Sequence, residues 1–160
     1  MDHLVKYKDD LAGIFEKTLQ NETLDIKLAA LQATANYLSI AERKETKAFI
    51  PLLGLMVNVV TMALQEEDET VIEDALVEFN ELAEVEPSFF KPHFKDVYEK
   101  LKPIVAYKDF ANNSIRHQPL EFYCTIVERQ PSIVKKDEAL LKDLLEMIFQ
   151  LMIDIDSDID

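Results

Sequence analysis

The side chains with the greatest capacity for metal binding or nucleophilic chemistry in this chain are three histidines and one cysteine. His3, His93 and His117 fall in different predicted helices, and no carboxylate or cysteine accompanies them at ligand spacing. Because a zinc site needs several such ligands at close range, this spacing predicts no metal centre. Cys124 lies in an apolar helical stretch without a base at a recognisable spacing, so we expect it to be a small buried hydrophobe.

The C-terminal residues begin like a calcium-binding loop. Asp154, Asp156 and Asp158 occupy its first, third and fifth positions. Such a loop also needs a glycine at its sixth position and a glutamate at its twelfth, whereas Ile159 stands at the sixth and the sequence stops at Asp160. We therefore expect no calcium site here and interpret the segment as a solvated acidic stretch that could contact a lysine-rich partner.

Catalytic and nucleotide-binding motifs do not emerge from the remaining residues. The chain has only two glycines, Gly13 and Gly54, so it lacks the Gly-rich loop that cradles phosphates. Carboxylate pairs are abundant, but they fall on helical faces that we expect to be solvated, and nothing places two of them in one apolar cleft. We predict a protein without enzymatic activity and without a cofactor.

The charge balance favours some classes of partner over others. Thirty-one acidic residues against seventeen basic ones give a formal net charge of −14. Such a surface repels nucleic-acid phosphates and anionic lipids and attracts basic proteins. The longest apolar run, residues 49–64, is too short for a membrane-spanning helix, and no signal-peptide pattern is present. We expect a soluble protein of a reducing compartment that binds neither nucleic acid nor membrane.

The elements that would position these residues repeat along the chain. Equivalent apolar positions recur at spacings of 45 and 44 residues: Ile26, Val71 and Ile115, then, five residues later in each copy, Leu31, Leu76 and Leu120. Each of these helical stripes is followed by a second apolar helix. A period of about 40–47 residues with two helices per unit is typical of HEAT and armadillo solenoids. Solenoids present extended surfaces that hold other proteins, so the repeat predicts a binding function.

The predicted fold is all-α, an α-α superhelix of HEAT repeats. About seven helices are expected, at residues 4–19, 24–41, 47–64, 68–86, 90–107, 114–129 and 137–153. Asp68 is predicted to cap the fourth helix, and Pro51 fits the first turn of the third. Pro103 and Pro119 fall inside predicted helices and are expected to bend them.

The domain organisation follows from the repeat. We predict one HEAT-repeat segment of a longer solenoid, with a half repeat at 1–22, repeats at 23–66 and 67–110, and a last repeat with an acidic tail at 111–160. The first and last helices lack the polar outer face that terminal repeats carry.

Three segments carry a family resemblance: residues 24–36 (LDIKLAALQATAN), 87–93 (PSFFKPH) and 113–121 (NSIRHQPLE). They resemble the importin-β (karyopherin-β) nuclear transport receptors, and in particular the importin-five branch. The resemblance implies protein transport through the nuclear pore, with the receptor shuttling between cytoplasm and nucleus. Its implied partners are basic cargo proteins, the Ran GTPase and Phe-Gly nucleoporins. It also implies that helices 24–41, 68–86 and 114–129 are outer, and that 47–64, 90–107 and 137–153 are inner.

Eight residues are candidate contacts for protein partners. The acidic ones are Glu66, Glu67 and Asp68 in one connection between repeats, and Asp154, Asp156 and Asp158 at the C-terminus. The resemblance places Phe-Gly slots between outer helices, where Phe79 and Phe122 are the candidate walls.

Two other classes of function stay open. One is a HEAT scaffold of another complex, such as a phosphatase regulatory subunit. A regular 39-residue repeat would favour that scaffold, and the observed spacing of 44–45 residues does not. The other is a helical enzyme or metal protein, which would require converging polar side chains in a pocket.

Overall fold

The computed structural model describes the backbone of residues 8–157 and the side chains of residues 10–154. Within these residues the chain forms seven helices and no strand. They are α1 (Lys8–Leu19), α2 (Leu24–Ile40), α3 (Arg43–Gln65), α4 (Glu69–Val85), α5 (Phe94–Ala106), α6 (Gln118–Arg129) and α7 (Glu138–Ser157). Helix α3 contains a 3₁₀ stretch, Lys47–Leu52. The predicted all-α repeat fold is confirmed; the predicted start of the first helix at Leu4 lies outside the described residues, as does His3.

The helices form two layers. Helices α2, α4 and α6 pack side by side in one layer, which we call the A layer. Helices α1, α3, α5 and α7 pack in the same manner in the other, the B layer. Each A-layer helix and the B-layer helix after it form one repeat, and a shared core of Leu, Val, Ile and aromatic side chains fills the space between the layers. This arrangement buries an apolar face that a single helix pair would leave exposed.

The connection between α3 and α4 is tightly specified by local hydrogen bonds. The Glu67 and Asp68 backbone amides donate to the carbonyls of Leu64 (3.3 Å) and Ala63 (2.9 Å), which is the Schellman pattern of a helix C-terminus. Glu67 adopts φ 57° there and is the sole non-glycine residue with positive φ in the described chain. Asp68 then begins α4, because its Oδ1 accepts the Val71 amide at 3.1 Å. The predicted N-cap is confirmed.

The prediction that Pro51 lies in the first turn of the third helix is wrong, because α3 begins at Arg43, eight residues earlier. Pro51 lies in the 3₁₀ stretch of α3, and Pro103 lies inside α5, near its end at Ala106. The prediction that Pro119 falls inside a helix beginning at residue 114 and bends it is wrong. Residues Asn113–His117 form a separate 3₁₀ turn, and Pro119 occupies the first turn of α6, where no backbone donor is needed.

Two residues assigned to apolar faces are exposed instead. Ile26 is 42% exposed, because the buried face of α2 follows the series Leu24, Lys27 and Leu31 and residue 26 points away from it. Cys124 is exposed, which contradicts its predicted burial. The buried face of α6 is formed by its neighbours in the sequence, and residue 124 falls on the opposite side of the helix.

Helix α3 is long and apolar enough, by length and composition, to cross a membrane. The prediction that this run is too short is therefore wrong on length. Core helices of soluble proteins pass the same test, so one such helix is weak support for a membrane span. Here the Phe49, Met56 and Val60 side chains are at most 1% exposed and pack in the shared core, as those of a core helix do.

Candidate protein-interaction surfaces

The predicted acidic connection lies at the surface between two repeats. Glu66 and Glu67 are exposed, and no lysine or arginine of the described chain pairs with either. Asp68 is partly buried, and one of its carboxylate oxygens is engaged in capping α4. Two of the three acidic side chains are therefore available to a partner, whereas Asp68 serves as the N-cap of α4.

Glu69, a neighbouring acid that the sequence analysis did not single out, links the α3–α4 connection to the α5–α6 connection. The Glu69 carboxylate accepts the backbone amides of Ala111 (2.8 Å) and Asn112 (3.2 Å). Its position in the first turn of α4 was the available signal, since acidic residues are favoured there. Its partners, more than forty residues further along the chain, carried no signal.

Asp154 belongs to an internal ion-pair network and not to a solvated tail. Its Oδ2 accepts from Arg116 Nη2 at 2.9 Å, and its Oδ1 accepts from Lys108 Nζ at 3.0 Å and Gln150 Nε2 at 3.2 Å. The hydrogen bond from Arg116, followed by those from Lys108 and Gln150, lowers the pKa of the Asp154 carboxyl to about 2. Arg116 also donates from Nε to the Val105 carbonyl at 2.9 Å, at the C-terminal end of α5.

This network corrects the prediction for the acidic tail. Helix α7 continues to Ser157 and does not end at residue 153, so Asp154 sits on the helical face that packs toward α5. Its side chain is only 13% exposed. Asp158 and the side chain of Asp156 lie outside the described residues, and their proposed contact with partners stays a prediction.

The two candidate slot aromatics lie in the core. Phe79 is 1% exposed and Phe122 is fully buried, and their ring centroids are 5.9 Å apart in an edge-to-face arrangement. Phe90 packs on Phe122 with a centroid distance of 4.9 Å. Both rings lie in the shared core, where Phe79 packs against Phe90 at a centroid distance of 5.8 Å and against Phe122. A partner could reach them only if the core repacked.

The groove at the surface of the A layer has a different lining. This α4–α6 slot has a volume of about 300 Å³ and is lined by Val77, Asn80, Glu81, Glu84, Gln118 and Glu121. Helix α4 carries acidic residues and no lysine or arginine. The walls of the slot are therefore made of carboxylates and amides, and Val77 is the exposed apolar side chain among the residues that line it.

A larger groove runs between α3 and α5 on the B layer, with a volume of about 480 Å³. We call it the Gly54 groove; its main lining residues are Leu53, Gly54 and Val57 of α3 and Asp96, Val97 and Glu99 of α5. Its apolar floor is buried, with Leu53 and Val57 each 1% exposed and Val97 2% exposed. Asp96 and Glu99 stand exposed on the α5 side.

The next groove along the B layer, between α5 and α7, has a volume of about 430 Å³. Two carboxylates that line it already accept hydrogen bonds from neighbouring side chains. Asp143 accepts from Lys102 Nζ at 2.6 Å and from the Tyr98 hydroxyl at 2.5 Å, and Asp154 holds the network described above. These bonds, first that from Lys102, lower the pKa of Asp143.

No cluster of three or more histidine, cysteine or carboxylate side chains suited to a metal ion occurs among the side chains that the structure describes. His93 lies 3.6 Å from Asp96 in an exposed pair at the start of α5, and His117 is exposed at the start of α6.

Comparison with known proteins identifies the repeat family. The family described as "IPO5-like, TPR repeats" matches residues 2–100, more than half of the chain. Neither the curated proteins nor the solved structures contain a match. The matched range includes α1 to α4, the acidic connection and the Gly54 groove, and it confirms the importin-five resemblance. The chain belongs to the IPO5-like family of helical-repeat proteins.

Proposed function

We propose that this chain is a binding segment of an importin-type nuclear transport receptor that holds basic cargo proteins and catalyses no reaction. Membership of the IPO5-like family is the observation that supports this most. The net charge of −14 adds a physical reason for the preference for basic cargo, as do the exposed Glu66 and Glu67, which pair with no lysine or arginine among the described residues. A basic segment would gain attraction from this surface without displacing an ion pair among the described residues.

A binding titration tests the cargo proposal. A fluorescein-labelled lysine-rich peptide is titrated with the protein at about 0.1 M and about 1 M salt, because the screening length falls from about 10 Å to about 3 Å between them. We expect binding that weakens strongly at the higher salt. The double substitution Glu66→Gln and Glu67→Gln should weaken binding about two- to thirtyfold, since exposed ion pairs contribute about 0.2–1 kcal/mol each.

The matched control is Glu128→Gln, which removes an exposed charge from α6 on the A layer, away from the connection. A loss of binding free energy in the control that is half the loss in the double variant would show that only net charge matters, because the control removes one charge and the double variant removes two. Unchanged affinity in the double variant would remove Glu66 and Glu67 from the site. An unmodified protein that fails to bind at low salt would contradict the proposal of basic cargo.

The remaining partners are part of the same proposal: the Ran GTPase, and Phe-Gly nucleoporins on the A layer during passage through the nuclear pore. An NMR titration with a Phe-Gly peptide tests the second, with a Phe→Ser peptide as control. We expect phenylalanine-dependent shifts confined to α2, α4 and α6. Co-purification with GTP-bound but not GDP-bound Ran tests the first, and nuclear accumulation of a fluorescent fusion when export is blocked tests the shuttling.

A second candidate function is a helical-repeat scaffold of another complex, without a Phe-Gly preference. The α4–α6 slot favours it, because carboxylates and amides line the place where the family resemblance implies an apolar slot. No Phe-Gly shifts at millimolar peptide, together with retained binding of the lysine-rich peptide, would favour this scaffold.

A further inference from the structure

The Gly54 groove contains a glycine that the fold does not require. Gly54 has no positive φ, and a Cβ built on it would meet no atom within 4 Å. It lies in the helical part of α3, where glycine is less favourable than alanine. Helical glycine is often found where another backbone or ligand approaches closely. Here the missing side chain leaves the middle of the groove open down to its apolar floor.

The floor and the volume of the groove suit one bulky apolar side chain. Leu53, Val57 and Val97 form a buried apolar base beneath an opening of about 480 Å³. The floor is already packed, so an entering side chain would be desolvated without any rearrangement of the core. Burying an aliphatic or aromatic side chain in this way is the main source of affinity in small protein sites.

The rim of the groove determines which charge accompanies that side chain. Glu99 has no ion-pair partner in the described chain, and Asp96 has only the exposed His93 at 3.6 Å. Among the described residues that line the groove, Lys100 and the exposed His93 are the basic side chains, and the Leu53–Gln65 part of α3 contributes no charge. In the neighbouring B-layer groove, by contrast, the fold pairs Asp143 with Lys102 at 2.6 Å. Glu99, a carboxylate without an ion-pair partner among the described residues, therefore stands beside the apolar floor and distinguishes the Gly54 groove.

We propose that the Gly54 groove docks a segment of a basic protein partner that places one bulky apolar side chain over Gly54 and an adjacent lysine or arginine against Asp96 and Glu99. This inference rests on the proposed function, because it assigns one subsite for the basic cargo. It adds a requirement that net charge alone does not create, namely an apolar residue within the basic segment.

Two labelled peptides and three variants test the assignment. One peptide is lysine-rich with a central leucine, and the other has serine in place of that leucine. The variant Gly54→Trp fills the groove, and Asp96→Asn with Glu99→Gln neutralises its rim. Gly13→Trp is the matched control, because Gly13 is also an exposed helical glycine whose Cβ would meet nothing within 4 Å, but it lines none of the grooves described above.

We expect the unmodified protein to bind the leucine peptide about tenfold more tightly than the serine peptide. Gly54→Trp should abolish that difference, Gly13→Trp should keep it, and the rim variant should reduce the salt dependence of binding. In parallel, methyl NMR of the unmodified protein should show leucine-dependent shifts at Leu53, Val57 and Val97. This readout requires no variant to fold, and circular dichroism checks each variant that is used.

The outcomes separate this inference from the function on which it rests. Equal binding of both peptides, or an unchanged preference in Gly54→Trp, would overturn the groove assignment and leave basic cargo in place. No binding of either peptide would overturn both. If the unmodified protein proves dimeric by light scattering and Gly54→Trp makes it monomeric, the groove is an interface between copies, and the docking of a basic partner is refuted.

Discussion

Replacing Glu67 with glycine should stabilise the protein, although it removes a side chain that we assign to the partner surface. Glu67 ends α3 with φ 57°, the left-handed conformation that costs a residue with a Cβ about 1–2 kcal/mol. Glycine adopts it without that cost but loses about 0.4–1 kcal/mol through its freer unfolded chain. The Glu67→Gly substitution is therefore expected to raise the free energy of unfolding by about 0.5–1 kcal/mol.

The gain can be read from urea or thermal unfolding. For a chain of this size, 1 kcal/mol corresponds to a Tm change of about 2–4 °C, so we expect a rise of about 1–4 °C. The two backbone bonds of the connection, from Glu67 to Leu64 and from Asp68 to Ala63, should persist because glycine keeps its amide. The rise should therefore come without a change in the denaturant slope.

Two controls separate backbone strain from charge. Glu67→Gln removes the same negative charge but keeps the Cβ, so any stabilisation shared by the two variants is electrostatic. Glu66→Gly alters the preceding residue, which has φ −89° and gains nothing from glycine, so it should be neutral or destabilising. If Glu67→Gly is no more stable than Glu67→Gln, the left-handed backbone is not the source of the cost and the reasoning is refuted.

Two further predictions follow from the core and the ion pairs. Phe122→Ala should lower the free energy of unfolding, measured with a chemical denaturant, by about 3–5 kcal/mol, because the ring is fully buried among other aromatics. Ile40 is 71% exposed, so Ile40→Ala should change that free energy by less than about 0.5 kcal/mol. A loss below about 1 kcal/mol for Phe122→Ala would contradict the described packing. The pKa values of Asp143 and Asp154 are lowered in the folded state, so the folded state binds fewer protons than the unfolded state. The stabilisation from these two carboxylates is therefore present above the unfolded pKa, which is near 3.9. It is lost as the pH falls toward about 2. Unfolding followed from about pH 6 to about pH 2 should show this loss, and Asp154→Asn should make it smaller; an equal loss in that variant would remove Asp154 from the cause.

The structure distinguishes two groups of carboxylate side chains, which the net charge counts together. Some carboxylates, such as Asp143 and Asp154, are held by lysine and arginine from neighbouring repeats and stabilise the stacking of one repeat on the next. Others, such as Glu66, Glu67 and Glu99, are exposed without such a partner among the described residues. Only the second group can attract a basic partner at no cost to the fold.

The sequence by itself determined the features that arise within one or two turns of helix. The spacing of apolar residues predicted seven helices and the repeat of 44–45 residues, because a helical face recurs every 3.6 residues whatever it packs against. Asp68 could be identified as a cap because its hydrogen bond reaches only to Val71, three residues away. The family, too, was recognisable from short stretches of helix.

Only the tertiary structure decided which side chains remain free for a partner. Asp154 looked solvated because its partners Arg116 and Lys108 are 38 and 46 residues away, at a distance that no local pattern encodes. Within the run Phe122–Tyr123–Cys124, composition could not tell which residue faces outward, and the packing of α6 on α4 and α5 buries the first two and exposes the third. Local spacing determines which residues share a helical face, whereas the stacking of one repeat on the next determines what that face meets.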